Sequence, residues 1–202
     1  RVLPALVGDD ILEISSVVQM NGTVAVGKAG LTGKFNRILN LNDARRCWNL
    51  IEEYAPWTRR TLEVDGTQFA VSHDDDIEEL WAFDHSTSPM VISFEQAMKI
   101  GPAKISINGI KRDLEALAIR LEQRLSNKTV VLRTASKVFL NVIPSTASKS
   151  LAIANLLKSA DIPLADVLSF GDDFVDIDLI SECGWSVAVD NAIPEIKKIA
   201  KY

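Results

Sequence analysis

The sequence predicts an α/β protein, with a parallel sheet in its last third and a separate α+β unit in its middle. Three observations carry this. Helical stripes alternate with short apolar or β-branched runs along the 202 residues, a rhythm in which helices flank sheets. From Val138 onward the chain reads strand, loop, helix, again and again, as expected where parallel strands need crossover helices. From about Leu39 to Ser136 the pattern changes to hairpin-like pieces with amphipathic helices. That change divides the chain into a core of residues 1–38 and 137–202 and an insertion of residues 39–136.

The elements follow in order. Residues 16–20 read as a strand, ending at the turn pair Asn21-Gly22. Ala44, Cys47, Trp48, Ile51 and Ala55 share one helical stripe, with Asn42 or Asp43 as its cap. Leu62 and Val64 before Asp65-Gly66, and Phe69 and Val71 after it, predict a hairpin with a two-residue turn. Residues 104–107 and 129–133 are further strands. Between them Leu114, Leu117, Ala118, Leu121 and Leu125 make a second stripe, beginning at Asp113. A strand over 138–143 precedes a helix that follows Ser148. A strand over 167–170 precedes a helix from about Phe174 to Cys183, stopped by Gly184. A strand over 186–189 precedes a helix opened by Pro194.

Composition narrows the function classes. Hydrophobic residues make up 47% and charged residues 24% of the chain, ordinary for a globular protein. A formal net charge of −5 lacks the basic footprint of nucleic-acid binding. No apolar run approaches bilayer-spanning length and no signal-peptide pattern opens the chain, so no membrane partner is expected. Cys47 and Cys183 both fall in apolar helical patterns, which suits reduced, buried thiols of a cytoplasmic protein.

Three stretches carry chemistry. In "VLSFGDDFVDIDLI" an apolar strand runs into Gly171-Asp172-Asp173 and then a helix with Asp176. Open α/β sheets bind ligands beyond the carboxyl ends of their strands. Carboxylates clustered there repel one another unless a cation holds them, and hard oxygen donors suit Mg²⁺ better than zinc. The plainer alternative is that Asp172 or Asp173 only caps the helix. In "NVIPSTASKSLAIANLL" Lys149 enters the first turn of a helix after a strand, where it can reach a phosphate beside free backbone N–H groups; alone, it would read as a surface lysine. In "VAVDNAIPEIKKIA" Asn191 follows another strand and can bond a phosphate oxygen or a metal-bound water, or serve only as a turn or cap residue.

The order of Lys149, "GDDFVD" and "GWSVAVDNAIPEIKKIA" resembles the haloacid dehalogenase superfamily, and within it the Cof-type phosphatases with an α/β cap. "MNGTVAV" is similar to the Asn-Gly turn that precedes the cap in that branch, and "AKISI" and "FLNVIPSTASKS" to the cap's closing portion and the return to the core. The resemblance implies a partial Rossmann-like parallel core plus an α+β cap. It implies that Asp172 ligates Mg²⁺, that Asp176 ligates it or orients a ligated water, and that Asp173 assists from the outer sphere. It makes Lys149 the catalytic lysine that pairs with the phosphate, and Asn191 a contact to the phosphate or the ion's water shell. One departure is Val175, where the branch usually has Asn; trehalose-phosphate phosphatases, with Gly-Asp-Asp-x-Thr-Asp, match Asp173 but again not Val175. Loss of that polar group weakens the support around the ion.

The family's nucleophilic Asp-x-Asp belongs ahead of the Asn-Gly turn, and residues 1–20 contain none. Arg1 itself looks like the residue after the Thr-Gly of the family's second motif, as if the N-terminal segment were missing. Glu63-Val64-Asp65-Gly66-Thr67 is one methylene from the nucleophile motif, but Arg59-Arg60 ahead of it does not suit a buried central strand, and the hairpin reading is preferred. "GKAGLTGKF" departs from a P-loop at Lys28 and Phe35. The run from His73 to Glu79 reads as a solvated acidic loop, and His85 has no zinc-ligand spacing around it.

The expectation is a Mg²⁺-dependent phosphate monoester hydrolase for a small phosphorylated metabolite such as a sugar phosphate, working through an aspartyl-phosphate. This chain alone is expected to be inactive and to self-associate through an incomplete sheet edge. The alternative is a non-catalytic relative that keeps the metal-and-phosphate half-site; a lesser one is a trehalose-phosphate-phosphatase-like enzyme.

Overall fold

The structure, a computed structural model, describes residues 7–73 and 90–202. After a short helix α1 (Asp9–Glu13), strands β1 (Val17–Gln19), β2 (Val24–Val26) and β3 (Lys34–Asn36) form an antiparallel meander. Between β1 and β2 the turn Met20–Gly22 carries Asn21 at φ 59° and Gly22 at φ 88°. A Cβ on Gly22 would lie 2.1 Å from the Ser148 carbonyl oxygen, so glycine is what lets this turn rest on the start of helix α5 (Lys149–Leu157). Ala25 packs with Ala152 and Leu156 of that helix, and Val18, Leu31 and Phe35 close the cluster. The P-loop-like stretch is the β2–β3 loop, closed by Gly27 N–H to Gly33 C=O at 2.7 Å.

The middle of the chain builds a five-stranded antiparallel sheet in the order β5-β4-β6-β8-β7. Its strands are β4 (Arg59–Glu63), β5 (Phe69–Val71), β6 (Lys104–Asn108), β7 (Thr129–Arg133) and β8 (Phe139–Pro144). Leu62, Ile105, Val142 and Val131 align across four strands and pack under helices α2 (Leu41–Tyr54), α3 (Phe94–Ile100) and α4 (Glu115–Arg124). Thr61, Ser106, Asn141 and Leu132 form the next row, on the opposite face because side chains alternate along a strand.

Several expectations shift here. The strand expected at 138–143 as the first parallel core strand is β8, antiparallel between β6 and β7, because strand rhythm does not report a strand's partners. The cap of α2 is Asn40, whose side chain accepts from Asp43 N–H at 3.1 Å, not Asn42 or Asp43. Helix α3 was not expected; its Ser93/Gln96 capping box was the available signal. The Glu63–Phe69 stretch is a hairpin as expected. Its loop is wider than two residues, since Val64 N–H bonds Gln68 C=O and Asp65 Oδ1 takes the Thr67 and Gln68 amides. Arg60 is 1% exposed: its guanidinium lies 4.9 Å from the Trp48 ring centre, pairs with Glu52, and is pushed down to about 10 by burial.

The last third holds β9 (Leu168–Gly171) and β10 (Trp185–Ala188), paired in parallel as expected. Helices α6 (Ile177–Glu182) and α7 (Pro194–Ile199) cover one face through Ile180 and Ile196, joined by Ala192 from the loop before α7. On the other face Leu168, Phe170 and Trp185 are 54%, 59% and 53% exposed, unusual for parallel strands, which are covered on both sides. Cys47 and Cys183 are buried free thiols, as expected. No helix among the described residues is long and apolar enough to cross a membrane.

Two predictions follow from this packing. Gly22→Ala should lower the free energy of unfolding by about 3 kcal/mol through backbone strain and a clash, read as the shift in a urea titration. Asp43 is 4% exposed and its burial opposes ionisation, but hydrogen bonds from Ser126 and Thr129 outweigh this and hold its carboxyl below the ordinary 3.8. A folded-state value below the unfolded one gives stability that is complete above the unfolded value and is lost as pH falls through the folded one. The melting temperature should therefore drop on acidification below about pH 4, with a shallower drop in Asp43→Asn.

Candidate active site

Strand β9 ends at Gly171, and the next five residues turn sharply back. A Cβ on Gly171 would meet the Asp176 Cβ at 2.7 Å, so this glycine permits the close return. Asp173 caps the turn Phe174–Asp176, accepting from Phe174 N–H at 2.7 Å in a capping box with Asp176. The helix-capping role weighed for Asp173 is thus present. The same carboxylate accepts the Ala135 N–H at 3.1 Å, which ties the β7–β8 turn to the acidic loop.

Asp176 is the buried member, 6% exposed. Its Oδ1 lies 2.5 Å from Lys149 Nζ, and its Oδ2 accepts the amides of Asp172 and Asp173 at 3.3 and 3.4 Å. A buried carboxylate needs this kind of compensation. Lys149 is delivered by α5, whose cap Ser148 accepts from Leu151 N–H at 3.1 Å. Asp178 fixes the same helix start, accepting from the Ser150 hydroxyl at 3.1 Å and its amide at 3.3 Å.

Asp172 is exposed at the strand end. Its carbonyl accepts Ile193 N–H at 2.9 Å, which draws in the turn that carries Asn191. Asn191 is exposed. The structure thus gathers Lys149, Asp172, Asp173 and Asp176 at one end of β9, with Asn191 on a loop bonded to it. Two residues join them that sequence reasoning did not single out. Asn21 lines a cavity of about 320 Å³ together with Lys149 and Val175; its turn was noticed, its place beside the lysine was not. Asp178 secures the lysine's helix, and its position two residues after Asp176 was the signal.

Among the described residues no three Asp, Glu, His or Cys side chains already form a metal-ligand cluster. The donors nonetheless fit a hard cation in their chemistry. Asp172 offers an exposed carboxylate at the strand end, Asp176 one whose oxygens already face Lys149 and two amides, and Asp173 is committed to amides and fits an indirect role. Mg²⁺ retains several waters and takes one or two carboxylates.

Glu63 lies in β4 within the five-stranded sheet, 3.5 Å from Lys104 Nζ and 2.9 Å from Ser106 Oγ, not at the end of a parallel strand. The acidic residues 74–79 and His85 lie outside the described residues.

A family model for haloacid dehalogenase-like hydrolases matches residues 8–202. The HMP-PP phosphatase of Yersinia enterocolitica is 28% identical over 117 residues, 56% of this chain and 42% of that protein. A relative from Haemophilus influenzae is 28% identical over 130 residues, 63% of this chain and 49% of its own length. The chain therefore spans about half or less of these curated relatives. Among solved structures, a subclass IIB sugar phosphatase aligns over 98% of this chain and 73% of its own, with a TM-score of 0.78 at 17% identity. A haloacid dehalogenase-like hydrolase from Bacteroides thetaiotaomicron aligns over 100% and 75%, with a TM-score of 0.73 at 20% identity. These likenesses establish the fold.

The Asp173–Ala135 bond yields a local prediction. Asp173→Ala should speed hydrogen exchange at the Ala135 amide while leaving the β9 amides protected, and should cost about 1 kcal/mol through the lost cap.

Proposed function

Because this chain belongs to the haloacid dehalogenase-like hydrolase family, we propose that it supplies the cap and the lysine-and-carboxylate half of a phosphate monoester hydrolase. The observation that carries the reading is the Lys149–Asp176 pair at 2.5 Å, set beside Asp172 at the carboxyl end of a parallel strand. The substrate is a small phosphorylated metabolite. The protein acts in the cytoplasm. The boundary expected at residue 137 moves past β8, which completes the cap sheet: residues 7–38 and 145–202 form the core, and the described residues between 39 and 144 form the cap.

Asp172 and Asp176 would hold Mg²⁺, which when bound offsets the charge of the phosphoryl oxygens. Lys149 binds the phosphate and balances the nearby carboxylates. Asn191 hydrogen-bonds a phosphate oxygen or a water of the ion. Asp173 holds the acidic loop against the cap turn at Ala135, and closure of the cap excludes water and selects the substrate. Hydrolysis runs through an aspartyl-phosphate. The nucleophile motif does not precede Asn21 among these residues, so the chain as given is inactive alone, and the exposed Leu168, Phe170 and Trp185 favour self-association.

Calorimetric titration of Mg²⁺ tests the reading. Asp172→Asn should weaken binding about tenfold or more, whereas Asp190→Asn, outside the proposed ligand set, should not change it. Equal Mg²⁺ affinity in the wild type and Asp172→Asn would sink the metal assignment.

A further inference from the structure

The cavity that Lys149 and Asn21 line has otherwise mostly apolar walls. Val130, Leu132 and Ile143 come from the open face of the five-stranded sheet, and Phe174, Val175 and Ile177 from the turn and helix after β9. The three sheet residues share a face because Val130 pairs with Ile143 and Leu132 lies two residues along β7. Val175, in the turn that Asp173 caps, adds an apolar side chain from the acidic loop itself. Phe174 is 40% exposed and leaves part of its ring open to a neighbour.

The polar groups on that sheet face begin at Asn141, beside Leu132, and bond one another. Ser106 Oγ is 2.9 Å from Glu63 Oε1 and 3.2 Å from Asn141 Oδ1, and Lys104 Nζ is 3.5 Å from Glu63. Asn141 is the cross-strand neighbour of Leu132, with its Oδ1 already accepting from Ser106, and Ser106 itself is two strands from Leu132, about 10 Å at the usual spacing between strands. A polyol placed against these apolar walls would lose water from most of its hydroxyls and gain few partners, because the polar lining is confined to Asn21, Ser148, Lys149 and Asp178. A flat ring there would gain from burial.

Resting on the phosphatase reading above, we propose that the leaving-group side of this site takes an aromatic or similarly apolar alcohol in preference to a bare polyol. The cavity, about 320 Å³, is of the size that ligand sites use. Leu132 and Val130 are the specificity-determining residues on the cap side, and Val175 is their counterpart on the core side.

Calorimetry on the 202-residue chain in Mg²⁺ buffer separates the two ideas, with inorganic phosphate, phenylphosphonate and glucose 6-phosphate as probes. Phenylphosphonate should bind about tenfold or more tightly than the other two. Leu132→Asn should remove most of that advantage while phosphate affinity stays within twofold, and the more exposed Val130→Ser should reduce it in the same direction. Lys149→Ala should weaken all three probes, which reports on the phosphate reading alone. Glucose 6-phosphate binding as tightly as phenylphosphonate would overturn the specificity and leave the phosphatase reading standing. A phenyl preference unmoved by both cap variants would overturn the assignment of these walls. Failure of all three probes to bind the wild type would remove the phosphate site and the inference with it.

Discussion

The pairing of Lys149 with Asp176 is the contact on which the rest of the site depends. Asp176 sits almost out of solvent, where a lone carboxylate is costly. The ammonium group and two backbone amides make it tolerable. Each partner reaches that point only because other parts of the chain are arranged for it. Gly171 lets the carboxylate fold back over its own strand, Ser148 and Asp178 fix the helix start that presents the lysine, and Gly22 lets the Met20–Gly22 turn press against the Ser148 carbonyl. The pair is a junction between three loops, and its chemistry follows from backbone permissions at two glycines.

The parts of this arrangement that were legible in the sequence are those whose cause is local. Gly171-Asp172-Asp173 after an apolar run, Ser148 before a helix and Pro194 at a helix start each state their role within a few residues. The boundaries of β7 belong to the same category. What was not legible depends on distant partners. Lys149 and Asp176 are 27 residues apart, and residue resemblance, not spacing, pointed to their meeting. The place of β8 inside an antiparallel sheet is likewise invisible to a rhythm of strands and helices.

Arg60 shows how a sound local argument can still misjudge burial. Two adjacent arginines argued against a buried strand, yet β4 is nearly all buried and Arg60 with it. The guanidinium lies against Trp48, so part of its contact is with an aromatic face that a less strongly hydrated cation tolerates. Glu52 on α2 supplies the opposing charge. The compensation comes from a helix that precedes the strand, and the pattern of β4 by itself contains no trace of it. The same argument reached the right conclusion about Glu63, because the hairpin pairing of Glu63 with Phe69 was local.

The single carboxylate of Asp173 accepts hydrogen bonds from two separate elements: from Phe174 in the acidic loop and from Ala135 in the β7–β8 turn. Thermodynamic linkage makes the two contacts reciprocal: a change that steadies the acidic loop favours the Ala135 contact, and loss of that contact loosens the loop by the same free energy. The side chain that caps the turn after β9 therefore also sets how firmly the β7–β8 turn is held beside the charged end of the sheet.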